Sequence, residues 1–183
     1  MSAARLCCLI ALAVWAATSQ AGKARTLWFA EPTRAWTHAL KTSDGTQATL
    51  EVRCVGPRRE VRLHHPALDR LERISDPSPN YDRTVRVIIG WNLDPDNPGH
   101  LGARWYLRPC PDAAGCATTD KGIAARWGAM DTDWAIEQIA TGWSAITRMQ
   151  PAGEPGVELR FSFAGSSRAI QAACARQPSP RSK

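Results

Sequence analysis

Gly156–Cys174 reads GVELRFSFAGSSRAIQAAC. Val157, Leu159, Phe161 and Phe163 alternate with Glu158, Arg160 and Ser162, which is the period of a β-strand with one face buried and one wet. Gly165 breaks that strand. Ser166 or Ser167 is suited to cap a helix by accepting backbone N–H bonds, and Ile170, Ala173 and Cys174 then share one helical face. A strand, a turn and a short helix closing on a cysteine are therefore expected. The stretch supplies a scaffold and a disulfide anchor, with no compelling catalytic group.

Working outward, the same alternation recurs. Ala48, Leu50, Val52 and Cys54 alternate with Thr49, Glu51 and Arg53, and Val61 and Leu63 resume the pattern after the turn Gly56-Pro57-Arg58-Arg59. A hairpin carrying Cys54 on its buried face follows. Arg83–Trp91 and Gly102–Leu107 read as further strands, and Gly122–Trp127 as another after the Cys110–Cys116 loop. Leu68, Leu71 and Ile74 give a short helical pattern. Across Asp131–Arg148, Ile136, Ile139, Trp143 and Ile146 recur at helical spacing behind acidic caps, with Gly142 a point where the helix can break. The fold class is mainly β, an antiparallel β-sandwich or curled sheet of about five to seven strands with one or two packed helices.

The first 21 residues read as a signal peptide: Arg5, an apolar run from Leu6 to Ala17, and a small-x-small site at Ser19-Gln20-Ala21. Residues 22–176 suit a single β-rich domain, with 177–183 a disordered tail. No later apolar run is long enough to span a bilayer. The expected location is the periplasm or the exterior. The whole chain has 23 Lys+Arg against 17 Asp+Glu; loss of Arg5 leaves 22 against 17, a net +5. Such a charge favours loose contact with acidic surfaces, yet the arginines are scattered and no nucleic-acid motif is present.

Export leaves Cys54, Cys110, Cys116 and Cys174, which read as two disulfides with three possible connectivities. PDAAG between Cys110 and Cys116 is turn-rich, so local closure is the economical pairing and Cys54 is left with Cys174. A four-thiolate metal site is disfavoured because only one close cysteine pair exists and it is not CxxC. His64-His65 point to opposite faces of a strand and the remaining histidines have no metal spacing. Neither a metal nor any other cofactor is expected.

Binding has more to draw on. Seven tryptophans survive cleavage, and Trp91, at a strand end beside the loop NLDPDNPG, is the best candidate for exposure. Asp94, Asp96 and Asn97 in that loop supply oxygens, but Pro98 stands where a calcium loop wants its next ligand, so a proline-fixed recognition loop is the better reading. Arg58 and Arg59 at the hairpin turn add basic surface. Gly142-Trp143-Ser144 starts like a nucleophile elbow but has Ile146 where glycine is required. Subtracting thiols, histidines and serine motifs leaves paired carboxylates as the one enzymatic route, which sequence does not reveal.

Trp36, the Asp44-Gly45 turn, the strand TLEVRC (Thr49–Cys54) and the closing FSFAGSSRAIQAAC (Phe161–Cys174) together resemble small periplasmic proteins encoded beside type VI secretion systems and, more loosely, invasion-associated proteins of Gram-negative bacteria. The resemblance covers roughly a third of the chain at its two ends. It implies a scaffold in which a late helix and its cysteine are tied to an early strand, and a role as an accessory protein; it implies no catalytic residues. The expectation is an exported, non-enzymatic accessory or binding protein whose partner is a periplasmic protein or cell-wall polymer. The alternatives are an inhibitor or immunity protein that blocks an enzyme through the loop beside Trp91, and a carbohydrate-active enzyme.

Overall fold

The computed structural model describes residues 27–74, 84–91, 103–119 and 132–175. The described part opens with β1 (Trp28–Glu31) and β2 (Arg34–His38), an antiparallel hairpin. Short β3 (Lys41–Thr42) follows, then β4 (Thr49–Val55) and β5 (Arg58–His64), paired along their full length from Thr49↔His64 to Val55↔Arg58. The alternation in TLEVRC is realised as expected: Leu50, Val52 and Cys54 are buried, as are Val61 and Leu63 on the partner strand.

Pro66–Arg70 forms a 3-10 helix and Arg73–Ile74 a short strand, β6, in place of the single helix suggested by Leu68, Leu71 and Ile74. Pro66 sits in the first turn, the His65 side chain accepts from Ala67 N–H, and Leu71 is already extended, so the helix ends after five residues. Next come β7 (Thr84–Trp91), β8 (Ala103–Pro109) and β9 (Cys116–Thr118). The strand after the Cys110–Cys116 loop thus begins on the second cysteine itself, and the expected strand at Gly122–Trp127 lies outside the described residues. Helix α1 (Thr132–Thr141) stops before Gly142, and β10 (Ser144–Met149) takes over the positions of Trp143-flanking sequence that share its helical spacing. Ile146 therefore lies on a strand, where its β-branched side chain is favoured. The opening stretch becomes β11 (Val157–Ser162) and α2 (Ser166–Cys174), with Val157, Leu159, Phe161 and Phe163 buried as the alternation requires.

Among the described residues every strand pairing is antiparallel, in the order β1-β2-β4-β5-β9-β8-β7-β10-β11-β3. β6 takes the N-terminal end of β7, where β10 does not reach. β8 makes the corner: Ala103–Leu107 pair with β7, and Arg108–Pro109 pair with β9. The opposite corner is the link from β2 to β3, where Ala39 N–H donates to Ala48 and Leu40 N–H to Arg160. The result is a curled, two-layered sheet whose inner faces bury Leu50, Val52, Val61, Leu63, Trp105, Leu107, Leu159 and Phe161. α2 covers β1, β2 and β4, and α1 packs on β5 and α2.

Two details hold the helices. Gly165, not a serine, forms the α2 N-cap, with φ 86°, which glycine adopts without steric cost. Ser166 is instead buried and its hydroxyl donates to the Ile139 carbonyl of α1, locking one helix to the other. Cys174 at the end of α2 is bonded to Cys54 of β4 across 120 residues of sequence, and Cys110 is bonded to Cys116. Both pairings match the expectation. Among the described residues no helix is long and apolar enough to cross a membrane.

Candidate functional site

The β4–β5 turn contains only Gly56 and Pro57 between the paired residues Val55 and Arg58. Gly56 has φ 58°, and Pro57 is locked by its ring at negative φ, the combination of a II′ hairpin turn with glycine first. Such a turn matches the twist of its strands and leaves the tip little freedom. One residue below it, Cys54 pairs in register with Arg59 and carries the disulfide to α2, while its N–H donates to the Thr33 carbonyl. The tip is thereby fixed from three sides. Val55 is 52% exposed, and Gly56, Pro57, Arg58 and Arg59 are exposed with it.

Beside the tip lies a cleft of about 680 Å³. Its walls are Pro57, Arg58, Arg59 and Glu60 of the hairpin, Thr119 after β9, and Thr132 and Asp133 at the start of α1. Thr119 is held in place by reciprocal bonds: its N–H donates to the Val61 carbonyl, and its hydroxyl accepts the Val61 N–H.

What distinguishes Arg58 and Arg59 is the state of the other arginines. Arg34 pairs with Glu31 at 2.7 Å, Arg62 with Glu60 at 2.9 Å and with Asp112 at 2.8 Å, and Arg53 with Asp112 at 3.3 Å and Glu51 at 3.5 Å. On the second layer Arg148 and Arg160 share Glu158, and Arg70 is held by Glu154. Arg58 and Arg59 have no carboxylate partner among the described residues. Among the described residues these ion pairs engage arginines on both layers and leave Arg58 and Arg59 exposed without one. Arg168 on α2 and Lys41 on β3 also lack an ion pair but stand singly.

Trp91 ends β7 in register with Ala145, so it belongs to the second layer, with β9 and β8 between its strand and the arginines. The structure does not bring the expected binding residues together at one loop. Asp94, Asp96 and Asn97 lie outside the described residues. The tryptophan with the greatest exposure among those described is Trp143, at 78%, whereas Trp28 and Trp105 are core. Trp36 is half-buried, stacks on Phe29 with ring centroids 5.5 Å apart, and has the Arg34 guanidinium 4.6 Å from its ring centroid.

His64 and His65 serve structure. His65 accepts the Ala67 N–H at Nδ1 and places Nε2 3.3 Å from Asp44 Oδ2, an ion-pair separation whose angle misses that of a hydrogen bond. His64 points the other way and meets Glu51 Oε2 at 3.0 Å, as expected for neighbours in a strand. Among the described residues no cluster of three or more His, Cys, Asp or Glu is placed to hold a metal. Burial raises the Glu51 carboxyl, but the His64 hydrogen bond and the charges of His64, Arg53 and Arg34 outweigh it and hold the group below its ordinary value. A depressed carboxylate contributes stability that is present above the unfolded pKa and lost as pH falls through the folded one. Urea unfolding at neutral pH and at successively lower pH should show that loss below the usual carboxylate range of about 4. Glu51→Gln should flatten the acid limb while lowering stability at pH 7.

Comparison with models of protein families, with curated proteins and with solved structures finds no match.

Proposed function

We propose that this chain is an exported, non-enzymatic binding domain that engages a carboxylate-bearing partner through the Arg58–Arg59 hairpin tip and its adjoining cleft. The observation that carries the reading is the pair of exposed guanidiniums, without an ion pair among the described residues, on a turn fixed by Pro57 and the Cys54–Cys174 bond. Two arginines with no ion pair among the described residues have none there to break on binding, and a rigid turn loses little entropy. The resemblance to accessory proteins encoded beside secretion systems supports the same role, with a periplasmic protein or cell-wall polymer as the partner. Capture from an envelope extract by the mature chain tests it. Arg58→Ala with Arg59→Ala should abolish recovery of the bound component; undiminished recovery by the double variant overturns the reading.

A second reading has one observation in its favour. Glu60 and Asp133 line the same cleft, and two carboxylates flanking a sugar bond are what a glycoside hydrolase requires. Release of reducing ends from purified peptidoglycan by the wild type, lost in Glu60→Gln and Asp133→Asn, would replace binding with catalysis.

A further inference from the structure

We infer that the outer face of β10, β11 and β3 carries a binding site for a phosphomonoester, built on Lys41, Arg148 and Arg160 and separate from the hairpin tip. In the pairing register Arg148 of β10 stands across from Glu158 of β11, and Lys41 of β3 stands across from Arg160, two residues along from Glu158. Ser43 lies beside Glu158: its N–H donates to the Glu158 carbonyl, and its hydroxyl accepts the Glu158 N–H. Val157, Leu159 and Phe161 take the buried face of β11, so Glu158 and Arg160 point outward, and residues directly opposite in an antiparallel pair share a face. Lys41, Arg148 and Arg160 therefore meet on one solvent-facing patch.

One carboxylate organises the patch. Glu158 Oε2 accepts from Arg148 Nε at 2.9 Å, and Oε1 accepts from Arg160 Nε at 3.0 Å. Each guanidinium is gripped by its Nε, and among the described residues its Nη groups, the forked end suited to a pair of phosphate oxygens, make no hydrogen bond. Ser43 accepts from the backbone and so keeps its hydroxyl proton to donate. The charge balance selects the ligand, because Glu158 set against Lys41, Arg148 and Arg160 leaves a net +2. A phosphomonoester carries about −1.5 to −2 at pH 7 and offers three acceptor oxygens, whereas a single carboxylate leaves positive charge unmet. Lys41 separates this patch from an ordinary surface ion pair. It has no ion pair among the described residues and faces Arg160 directly, and like charges directly opposite each other destabilise a sheet. An anion held between the two relieves that repulsion.

Titration of the isotopically labelled mature chain at constant ionic strength, followed by amide chemical shifts, tests the site. Glycerol 3-phosphate should move the amides of Lys41, Ser43, Arg148 and Arg160 and bind about 10-fold more tightly than acetate, since a further hydrogen bond between charged groups contributes about that factor. Lys41→Gln and Arg160→Gln, which keep the aliphatic stems and the fold, should each weaken glycerol 3-phosphate about 5-fold or more. Glu158→Gln distinguishes a clamp from a loose cloud of charge: it raises the net positive charge but frees both guanidiniums, and the cost of re-ordering them should weaken binding about 3-fold. Vesicles of equimolar phosphatidic acid and phosphatidylcholine separate the two sources of the group. Retention that needs Lys41 and Arg160 places the phosphomonoester on a lipid, and no retention leaves a soluble one as the ligand; the site stands in both cases. Acetate as tight as glycerol 3-phosphate, tighter binding by Glu158→Gln, affinity untouched by the Lys41 and Arg160 substitutions, or shifts confined to the hairpin tip would overturn it.

Discussion

Phe161→Ala should destabilise the domain by about 3–5 kcal/mol, the range for removing a fully buried aromatic ring. Phe161 is 1% exposed, lies on the inner face of β11 near its C-terminal end, and stands opposite Ala145, too small to fill the space. Neighbouring Leu159 and Phe163 are themselves buried, which limits collapse into the cavity. Equilibrium unfolding in guanidinium chloride should show a lower midpoint with an unchanged slope. Phe29→Ala offers the contrast, because that ring is 51% exposed and its loss should cost about 1 kcal/mol or less. Equal costs at the two positions would mean that β11 is not the centre of the core.

The two disulfides should differ in the same assay. Replacing Cys54 and Cys174 with alanine opens a loop spanning 120 residues, for which chain entropy gives about 4–5 kcal/mol, against about 2 kcal/mol for the six-residue span of Cys110 and Cys116. The smaller loop also has other support: Cys110 N–H donates to the Cys116 carbonyl, and Asp112 accepts two bonds from Arg62, which hold the Asp112 carboxyl below its ordinary value. Cys54→Ala with Cys174→Ala should therefore be the more damaging pair, and should free the end of α2 to exchange its amide protons faster. A larger loss from the Cys110 and Cys116 pair would contradict the clasp as the main fastening of the two ends.

Local patterns were the legible part of this fold. Val157, Leu159, Phe161 and Phe163 announce their strand because one face is dry and the other carries Glu158 and Arg160. The pairing of Cys54 with Cys174 followed from the short turn-rich span between the other two cysteines. The failures occurred where two periods coincide. Trp143 and Ile146 continue the helical spacing of Ile136 and Ile139, yet Gly142 ends α1 and the alternation of Ala145, Thr147 and Met149 wins as β10. Ser166 was the natural cap by residue type, but its hydroxyl is needed by Ile139, a partner that only the packed helices bring near.

The hairpin tip was half visible. Arg58 and Arg59 stand in a recognisable turn, but arginines occur throughout the chain and sequence does not show which are neutralised. Asp112 reaches Arg62 from 50 positions away, and that distant pairing is what leaves the tip arginines distinct. Glu51 is similarly opaque: its place in the alternation is on the outer face, where it is nevertheless buried beneath His64 and Arg53.

The most direct test of the account places a photoreactive residue at position 57, on the tip, or at position 143, the exposed tryptophan of the second layer, and irradiates each mature chain in an envelope extract. The hairpin site predicts a discrete adduct from position 57, suppressed when Arg58 and Arg59 are alanine, and none from position 143. An adduct from position 143 alone would contradict it and move recognition to the end of the sheet that carries Trp143 and Trp91.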